Sequence, residues 1–245
     1  VEVQTTSSKN KYLSTVGMAA AFPKIKISYF NIEGAAEKVR LALVLQGIPF
    51  EDHRINMPEW EVLKPTAKFG QVPLMYINDG APVGQSYAML RYVARLGDGS
   101  LYPQDPLKLL AIEEAIGLVD DLARAFQPSF FISTRPTHLG YPEKYNETPE
   151  GKEAIKRLRT NFVTSLLPMY LGYFTKMLAE SGGPYICGST FTIADCTLLP
   201  ALRNFRRGHL DHIPVDCMDG YPDIIAYIDR VMSIPVISAW YAPKK

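Results

Sequence analysis

Hydrophobic and polar residues alternate in a short stretch near the start of the chain and then change period. Over residues 25–29, Ile, Ile and Tyr alternate with Lys and Ser, which is typical of a half-buried strand. A turn follows over 31–34, and the residues of 35–45 are mostly good helix formers. The pattern places Tyr29 at the end of a strand that leads directly into a helix N-terminus. Unpaired N–H groups and the helix dipole favour an anion there.

Strand and helix patterns continue to alternate up to about residue 100. The segment Asn78-Asp79-Gly80 is a strong hairpin signal, and Ser86 stands at the start of the helix that follows it. The predicted order is strand, helix, strand, helix, two hairpin strands and helix. The five elements after the first helix are predicted over residues 49–55, 58–64, 71–77, 81–83 and 87–96.

Every long segment beyond a linker rich in Gly and Pro, residues 97–106, has a helical period. Thr192-Ile193-Ala194-Asp195 is similar to a capping box at the start of one helix. A loop rich in Pro and Tyr is predicted over 127–149. The helices are predicted over residues 107–126, 151–180, 191–205, 222–232 and 235–240. The sequence thus predicts an α/β N-terminal domain over 23–100, followed by an all-helical domain over 105–240.

Composition and charge exclude several classes of partner. The chain has 245 residues, of which 47% are hydrophobic and 21% charged, as in globular proteins. Its net charge of +1 argues against nucleic acid as the main partner, and no apolar run approaches membrane-spanning length. Cys187, Cys196 and Cys217 have the spacing of neither a disulfide framework nor a metal site. We expect buried, inert thiols and a reducing, cytoplasmic location.

The first 22 residues differ from the rest of the chain. They are polar, rich in Ser and Thr, and basic, with Glu2 as their only acid. They lack the apolar core of a secretory signal. A remnant of a transit peptide, a cloning remnant and a native tail all fit this composition, and Met18 could be an original start. We expect this extension, residues 1–22, to be poorly ordered.

Short motifs occur along the chain in a specific order. They are Tyr29-Phe30-Asn31, Gly34-x-Ala36-Glu37-x-x-Arg40, Phe50 before Glu51-Asp52-His53-Arg54, Trp60, Phe69-Gly70-Gln71-Val72-Pro73, Asp79-Gly80, Gln85-Ser86 and Thr192-Ile193-Ala194-Asp195. This ordered set resembles the cytosolic glutathione transferases, and most of all their sigma class, which includes haematopoietic prostaglandin D synthase. The resemblance extends from about Pro23 to about Trp240. It implies a thioredoxin-like N-terminal domain followed by a helical domain.

The resemblance implies a catalytic role for Tyr29. In similar enzymes the tyrosine at the end of the first strand donates its hydroxyl hydrogen to the glutathione sulfur. A hydrogen bond to the charged form lowers the pKa of a thiol, and the adjacent helix N-terminus acts in the same direction. The cysteine in this chemistry belongs to glutathione, which is the implied co-substrate.

The resemblance also implies which groups hold the rest of glutathione. Val72 and Pro73 match the family's cis-proline, where the Val72 backbone pairs with the cysteinyl backbone of the ligand. Gln85 and Ser86 match the γ-glutamyl site, where a helix N-terminus meets a carboxylate. The full set of implied contacts is Tyr29, Trp60, Lys64, Gln71, Val72, Pro73, Gln85, Ser86 and Asp121.

The glycyl end of glutathione and the subunit interface are assigned in the same way. Trp60 and Lys64 match positions that contact the glycyl end, and Lys64 supplies positive charge for its carboxylate. Gln71 stands where close relatives often carry Lys, and it can still donate a hydrogen bond. Asp120-Asp121 matches an acidic pair at a homodimer interface, where Asp121 aligns with the member that reaches the glutathione amine of the partner subunit.

Three positions depart from the family pattern. Ala35 stands where close relatives carry an Arg that supports the thiolate, and Glu33 precedes the turn glycine. Pro128 replaces a Trp of the second-substrate pocket in the prostaglandin synthase. Gly117 replaces a third acid that some relatives use for Mg²⁺, so we expect no metal. The contacts expected for the second substrate are Ile32, Ala35, Leu122, Phe126, Phe130 and Phe131.

We expect the chain to conjugate glutathione to a hydrophobic electrophile. A glutathione-dependent isomerase or peroxidase is an alternative, because both use the same thiolate. A non-catalytic binding or structural protein, like the lens crystallins that resemble this class, is another. A thiol–disulfide enzyme on the same fold needs a Cys at the first helix N-terminus, and residues 31–35 contain none.

Overall fold

The computed structural model describes residues 22–243. The extension expected over 1–22 lies outside the described residues, apart from Phe22. The elements of the α/β part are the strands β1 (Ile25–Phe30), β2 (Phe50–Ile55) and β3 (Leu74–Ile77) and the helices α1 (Glu37–Leu45), α2 (Met57–Leu63) and α3 (Ser86–Ala94). A 3₁₀ turn, Gly34–Ala36, leads into α1.

The strands form one mixed sheet in the order β2-β1-β3. β1 runs parallel to β2, with Phe30 opposite Ile55. β1 runs antiparallel to β3, with Ser28 opposite Leu74. The central position of β1 explains its apolar residues, since Ile25, Ile27 and Tyr29 are all buried.

The predicted hairpin turn is present, but its second strand is shorter than expected. Both central residues of the turn, 78–79, have positive φ, at 50° and 60°, as a type I′ turn requires. A strand was expected over 81–83, whereas the returning chain forms only an isolated bridge from Val83 to Met75. The Ile77 carbonyl accepts the hydrogen bond that closes the turn, from the Gly80 N–H at 2.9 Å.

The second part of the chain is helical throughout its regular elements. The helices are α4 (Pro106–Thr134), α5 (Pro149–Asn161), α6 (Leu167–Glu180), α7 (Ile193–Arg206), α8 (Pro222–Met232) and α9 (Pro235–Tyr241). The predicted capping box starts α7: Asp195 accepts hydrogen bonds from the Thr192 N–H at 2.9 Å and from Tyr227 Oη at 2.9 Å. Burial raises the pKa of Asp195 to about 6.

Helix α4 is longer than the sequence predicts. The predicted loop over 127–149 is wrong in its first part, because the helix continues through Pro128 to Thr134. The rest of that segment, 135–148, contains only short 3₁₀ turns, as expected of a loop. The continuation buries Ser129 and Ile132. Packing of this face therefore outweighs the hydrogen bond that proline removes from a helix interior.

The single helix predicted over 151–180 is also interrupted. A π-helical turn, Phe162–Leu166, joins α5 to α6. Pro168 follows it at the start of α6 and has no N–H to bond to the Thr164 carbonyl, as an unbroken α-helix would require. The chain accommodates this proline by widening one turn.

One continuous core joins the two parts of the molecule. Residues of α1, such as Val39 and Leu43, and residues of α7, such as Leu198 and Leu202, are fully buried members of it. Among the described residues, no single helix has the length and hydrophobicity to cross a membrane. Helices α8 and α9 pass that test only together, and they are bent by 89°.

The cysteines are buried to different extents. Cys196 is fully buried, as predicted, whereas Cys187 and Cys217 keep some exposed surface. Burial raises the pKa of all three thiols, that of Cys187 to about 12. The protonated thiol is therefore favoured at each position, which opposes reactivity.

Candidate active site

The sheet register brings separate segments together at the edge where β1 ends. The antiparallel pairing of β1 with β3 ends with Ser28 opposite Leu74, so Tyr29 and Pro73 are the next residues of the two segments at this edge. The bridge from Val83 to Met75 brings the chain that leads to Gln85 to the same part of the sheet. The parallel pairing of β1 with β2 brings the helix that carries Trp60 to this edge.

The phenol of Tyr29 is fixed by a backbone hydrogen bond. Its Oη accepts a hydrogen bond from the Ala35 N–H at 3.1 Å, and the residue is 9% exposed. A phenol oxygen carries one hydrogen and accepts through its lone pairs. The Ala35 N–H therefore occupies an acceptor position, and the hydroxyl hydrogen is left to donate to a ligand.

Gly34 allows the turn to approach this phenol closely. Its φ is 46°, which L side chains rarely adopt. A Cβ at this position would lie 2.5 Å from Tyr29 Oη. Only glycine satisfies both the conformation and the space.

The Val72–Pro73 peptide bond is cis, as the family resemblance predicts. Pro73 is buried, whereas Val72 keeps some exposed surface. Val72 therefore lies at the surface of the edge beside Tyr29, where an extended ligand backbone can pair with it as an added strand does.

Gln85 has an unusual backbone conformation immediately before α3. Its φ is 71° and its ψ is 97°, and such positive values are uncommon outside glycine and concentrate at functional sites. Gln85 is exposed and Ser86 is partly exposed. The unpaired N–H groups at the start of α3 therefore open toward solvent, where an anion can bind.

Helix α2 also borders the site. A capping box at Asn56 fixes its start, and the Trp60 ring packs edge-on against Phe30 with centroids 6.4 Å apart. Lys64 lies one turn later and is exposed, as is Gln71 in the following loop. These polar side chains are accessible to a ligand that lies along the edge.

Comparison with known proteins identifies the family to which this fold and site belong. The model of the "Glutathione S-transferase, N-terminal domain" matches residues 25–95, and that of the "Glutathione S-transferase, C-terminal domain" matches residues 127–244. "Glutathione S-transferase P 1" of Bufo bufo is 30% identical over 223 residues, which cover 89% of this chain and 91% of that protein. The chain belongs to the glutathione S-transferase family.

Other comparisons agree with this assignment. "Glutathione S-transferase 1" of Ascaris suum is 29% identical over 222 residues, which cover 91% of this chain and 97% of that protein. The "Structure of prostaglandin synthase D of Nilaparvata lugens" has a TM-score of 0.73 and 26% identity, and the match covers 91% of this chain and 100% of that one. The predicted fold class is confirmed, and glutathione is the co-substrate of this transferase.

A buried ion cluster in the transferase supports the turn that follows β1. Arg40 is fully buried, and its guanidinium contacts Asp52 at 2.8 Å and Glu37 at 3.1 Å. It also donates to the Ile32 carbonyl at 2.9 Å and lies 5.6 Å from the centroid of the Tyr29 ring. These contacts of Arg40 therefore hold the turn after β1 in place.

Sequence analysis missed the contacts of two charged residues at this turn. Glu33 pairs with Arg203 of α7 and with Arg207, the residue that follows α7. No local pattern reveals these pairs. Lys38 donates from Nζ to the Ala35 carbonyl at 3.0 Å. One signal was available, because a lysine in the first turn of a helix is opposed by the helix dipole.

Two residues predicted to contact the second substrate lie in the core instead. Leu122 is fully buried and Phe126 is 7% exposed. The Phe126 ring packs against Phe162 and Phe205, with centroids 5.1 and 5.2 Å apart. Positions i and i+4 lie on one face of a helix, and this face of α4 points inward. These two residues therefore offer little accessible surface to a ligand, and their contact with a second substrate stays a prediction.

The other residues predicted at the second-substrate site are accessible. Ile32 is 55% exposed and Phe130 is 39% exposed, while Ala35 and Phe131 keep some exposed surface. Ile32 and Ala35 border the turn beside Tyr29. Their contact with a substrate stays a prediction.

The acidic pair of α4 is exposed and already paired within the chain. Asp120 and Asp121 both contact the guanidinium of Arg124. About half of the Asp121 side chain is exposed, at 50%, which leaves it accessible to a second subunit. Gly117 is exposed on the same helix, and the described residues contain no group of three or more His, Cys, Asp or Glu that could hold a metal ion.

Proposed function

We propose that this transferase conjugates glutathione to small hydrophobic electrophiles, with Tyr29 as its catalytic residue. The observation that carries the proposal is the hydrogen bond from the Ala35 N–H to Tyr29 Oη. It leaves the hydroxyl hydrogen as the free polar group of the phenol. The free O–H lies at an edge where the N-termini of α1 and α3 both favour negative charge.

The proposed reaction uses the phenol to stabilise an anion. The glutathione thiol releases its proton to solvent, and the thiolate accepts a hydrogen bond from Tyr29 Oη–H, which lowers the thiol pKa. A sulfur lone pair forms the S–C bond with the electrophile. The leaving group departs with its bonding pair or, in an enal, the displaced π electrons take up a proton.

The remaining glutathione contacts follow the order of the segments along the edge. The Val72 backbone pairs with the cysteinyl residue beside Tyr29. The start of α3 binds the γ-glutamyl carboxylate, and the exposed groups of α2 and its following loop bind the glycyl end. The proposed binding set is Tyr29, Trp60, Lys64, Gln71, Val72, Pro73, Gln85, Ser86 and, from a partner subunit, Asp121.

Tyr29→Phe tests the catalytic role. One hydrogen bond to a charged group contributes about 1.5–3 kcal/mol, which corresponds to a roughly ten- to hundred-fold loss of conjugation rate. Glutathione affinity, measured by calorimetry, should change little because many other groups bind the tripeptide. Tyr76→Phe, on β3, is the matched control. Unchanged turnover of Tyr29→Phe would mean that another group activates the thiol.

Ser86→Ala should show the opposite pattern to Tyr29→Phe, with weaker glutathione affinity and little change at the thiol. Ser86 faces the γ-glutamyl end in the proposed arrangement, so its loss should weaken glutathione affinity more than it shifts the thiol pKa. Gln85→Ala should behave in the same way. A large shift in the ultraviolet titration of the bound thiolate, with unchanged affinity, would contradict this placement.

We also propose a sigma-class-like homodimer in the cytoplasm. The exposed carboxylates on α4 support a glutathione site to which both subunits contribute. The three free thiols support a reducing location. The limits of the two domains, 23–100 and 105–240, follow the change from mixed elements to helices. Size-exclusion chromatography with light scattering tests the oligomeric state.

Prostaglandin isomerase activity is the second candidate function. The likeness to the structure titled prostaglandin synthase D favours it, and the same thiolate would serve. Pro128, in place of an aromatic residue, argues against it. Parallel assays with chlorinated arenes, enals, hydroperoxides and prostaglandin H₂ distinguish transferase, peroxidase and isomerase.

A further inference from the structure

Lys38 occupies an electrostatically unfavourable position beside the active-site turn. It is the second residue of α1, and its Nζ lies 3.0 Å from the Ala35 carbonyl oxygen and 4.6 Å from the centroid of the Tyr87 ring. A positive charge in the first turn of a helix is opposed by the helix dipole. This placement is costly for folding, and such costs concentrate at functional sites.

Burial adds to this cost. Lys38 keeps part of its surface exposed, but protein atoms enclose its ammonium, and this burial lowers its pKa to about 8. The charge of Asp120 acts in the opposite direction, yet that carboxylate is engaged by Arg124. Within residues 22–243, Lys38 has no ion pair of its own.

Ala35 connects Lys38 to the phenol of Tyr29. The carbonyl of Ala35 accepts from Lys38, and the N–H of Ala35 donates to Tyr29 Oη. Both hydrogen bonds hold the same residue, one on each side of its Cα. Lys38 also stands three positions after Ala35, and residues three apart lie on the same helix face. A positive charge thus lies next to Ala35, which carries none.

We propose that Lys38 is a positioning residue for conjugation: its ammonium holds Ala35 against Tyr29 and supplies, beside the bound thiolate, the positive charge that Ala35 lacks. The proposal rests on the proposed function, since it concerns the thiolate that Tyr29 stabilises. A cation near a thiolate lowers the thiol pKa. Lys38 loses its charge as the pH rises above about 8, so its support weakens at alkaline pH.

The other charged groups around Lys38 are paired. The pairs are Glu37 with Arg40 on α1, Arg91 of α3 with Glu113 of α4, and Asp120 and Asp121 with Arg124 on α4. Burial raises the pKa of Tyr87 to about 12, so this phenol stays neutral near pH 8. Lys38 is therefore the member of the cluster whose charge changes near that pH.

Three variants test the proposal. Lys38→Met removes the charge, and Lys38→Arg keeps it. Lys26→Met is the matched control, because Lys26 also lies over a tyrosine ring, 5.1 Å from the centroid of Tyr76, but on β1. Ultraviolet titration gives the pKa of bound glutathione. We expect Lys38→Met to raise this pKa by about 0.5–1 unit. Lys38→Arg and Lys26→Met should both keep the wild-type value.

The pH profile of kcat/KM for glutathione is the second measurement. Arginine stays charged throughout the accessible range, so wild type should decline relative to Lys38→Arg above a pH of about 8. Parallel profiles, or an unchanged thiol pKa in folded Lys38→Met, overturn the proposal. A wild-type protein that neither binds glutathione nor lowers its thiol pKa refutes the proposed function instead, and this result is visible without any variant.

Discussion

Glu33 and Arg203 join the active-site turn to helix α7, with Glu33 Oε1 lying 3.4 Å from Arg203 Nη2. Arg207 Nη1 lies 3.0 Å from the same oxygen. The Glu33 side chain is only 19% exposed, so solvent screens this contact incompletely. Because the turn carries Gly34 and Ala35, the ion pair couples the position of the Tyr29 phenol to the helical part of the molecule.

Glu33→Gln should weaken both the fold and the site. The amide keeps the size of the side chain but leaves two arginines without their carboxylate. We expect a loss of about 1–2 kcal/mol in the free energy of unfolding and a several-fold fall in kcat/KM. Glu180→Gln is the control, since Glu180 forms an exposed i,i+4 pair with Lys176 at 3.7 Å. Equal losses in the two variants, by denaturant titration, would contradict a special role for Glu33.

Gly34→Ala should impair catalysis through a steric contact with the phenol. The new Cβ would lie 2.5 Å from Tyr29 Oη, in a residue with a φ of 46°. Gly47→Ala is the matched control, because Gly47 has a φ of 62° but no atom within 4 Å of the added Cβ. Both variants bear the cost of a left-handed residue, about 1–2 kcal/mol. Only Gly34→Ala should lose conjugation activity, by at least about ten-fold. Equal turnover numbers would exclude the steric contact.

The sequence predicts those features of the fold that depend on local pattern. The alternation over 25–29 and the capping box at Thr192 both mark elements that the structure contains. Pro128 misled the prediction, because a proline normally ends a helix. The burial of Ile132 beyond it decides otherwise, and burial is a property of the tertiary structure.

The candidate site also combines residues that a local pattern predicts with residues that depend on the tertiary structure. The positions of Tyr29, Val72 and Ser86 follow from motifs, and the register of the sheet then brings their segments to one edge. Glu33 and Arg203 are 170 positions apart, so no local pattern could pair them. The inward direction of Phe126 also depends on which face of α4 meets the core. Amphipathic spacing alone does not distinguish a core face from a pocket face.

Lys38→Met should stabilise the protein while it impairs the site. The folded state lowers the pKa of Lys38 from 10.5 to about 8, so the unfolded chain binds more protons between these values. Wild-type stability therefore rises with pH across this window, and the charged form is disfavoured at pH 7. We expect a gain of about 1–3 kcal/mol for Lys38→Met at pH 7, since the pKa change corresponds to roughly 3 kcal/mol and the lost hydrogen bond to the Ala35 carbonyl offsets part of it. This gain disappears near pH 10.5. Denaturant titrations at both pH values measure it. A variant less stable than wild type at pH 7 would contradict the unfavourable burial.

Asp121→Asn should raise the glutathione dissociation constant without breaking the dimer. In an isologous interface the same residue lies opposite both sites, and an exposed carboxylate can reach the cationic amine of the partner's ligand. Arg124 already contacts Asp121, so the ligand amine must share this carboxylate. Calorimetry measures the affinity, and light scattering tests whether wild type and variant are dimeric. A monomeric wild-type protein would refute the shared site at once.

Heterodimers, assayed at glutathione levels too low to saturate the weakened site, decide whether Asp121 acts across the interface. In one arrangement, Tyr29→Phe is on one chain and Asp121→Asn on the other. If Asp121 is shared, the chain with Tyr29 intact receives an intact Asp121 from its partner, so both changes fall in one site and the other site works. If Asp121 serves its own subunit, each site carries one change. Placing both changes on one chain reverses these expectations, because sharing then exports the Asp121 change to the site that keeps Tyr29. The separate-chain heterodimer should therefore be the more active of the two, and equal or lower activity would rule out a shared Asp121.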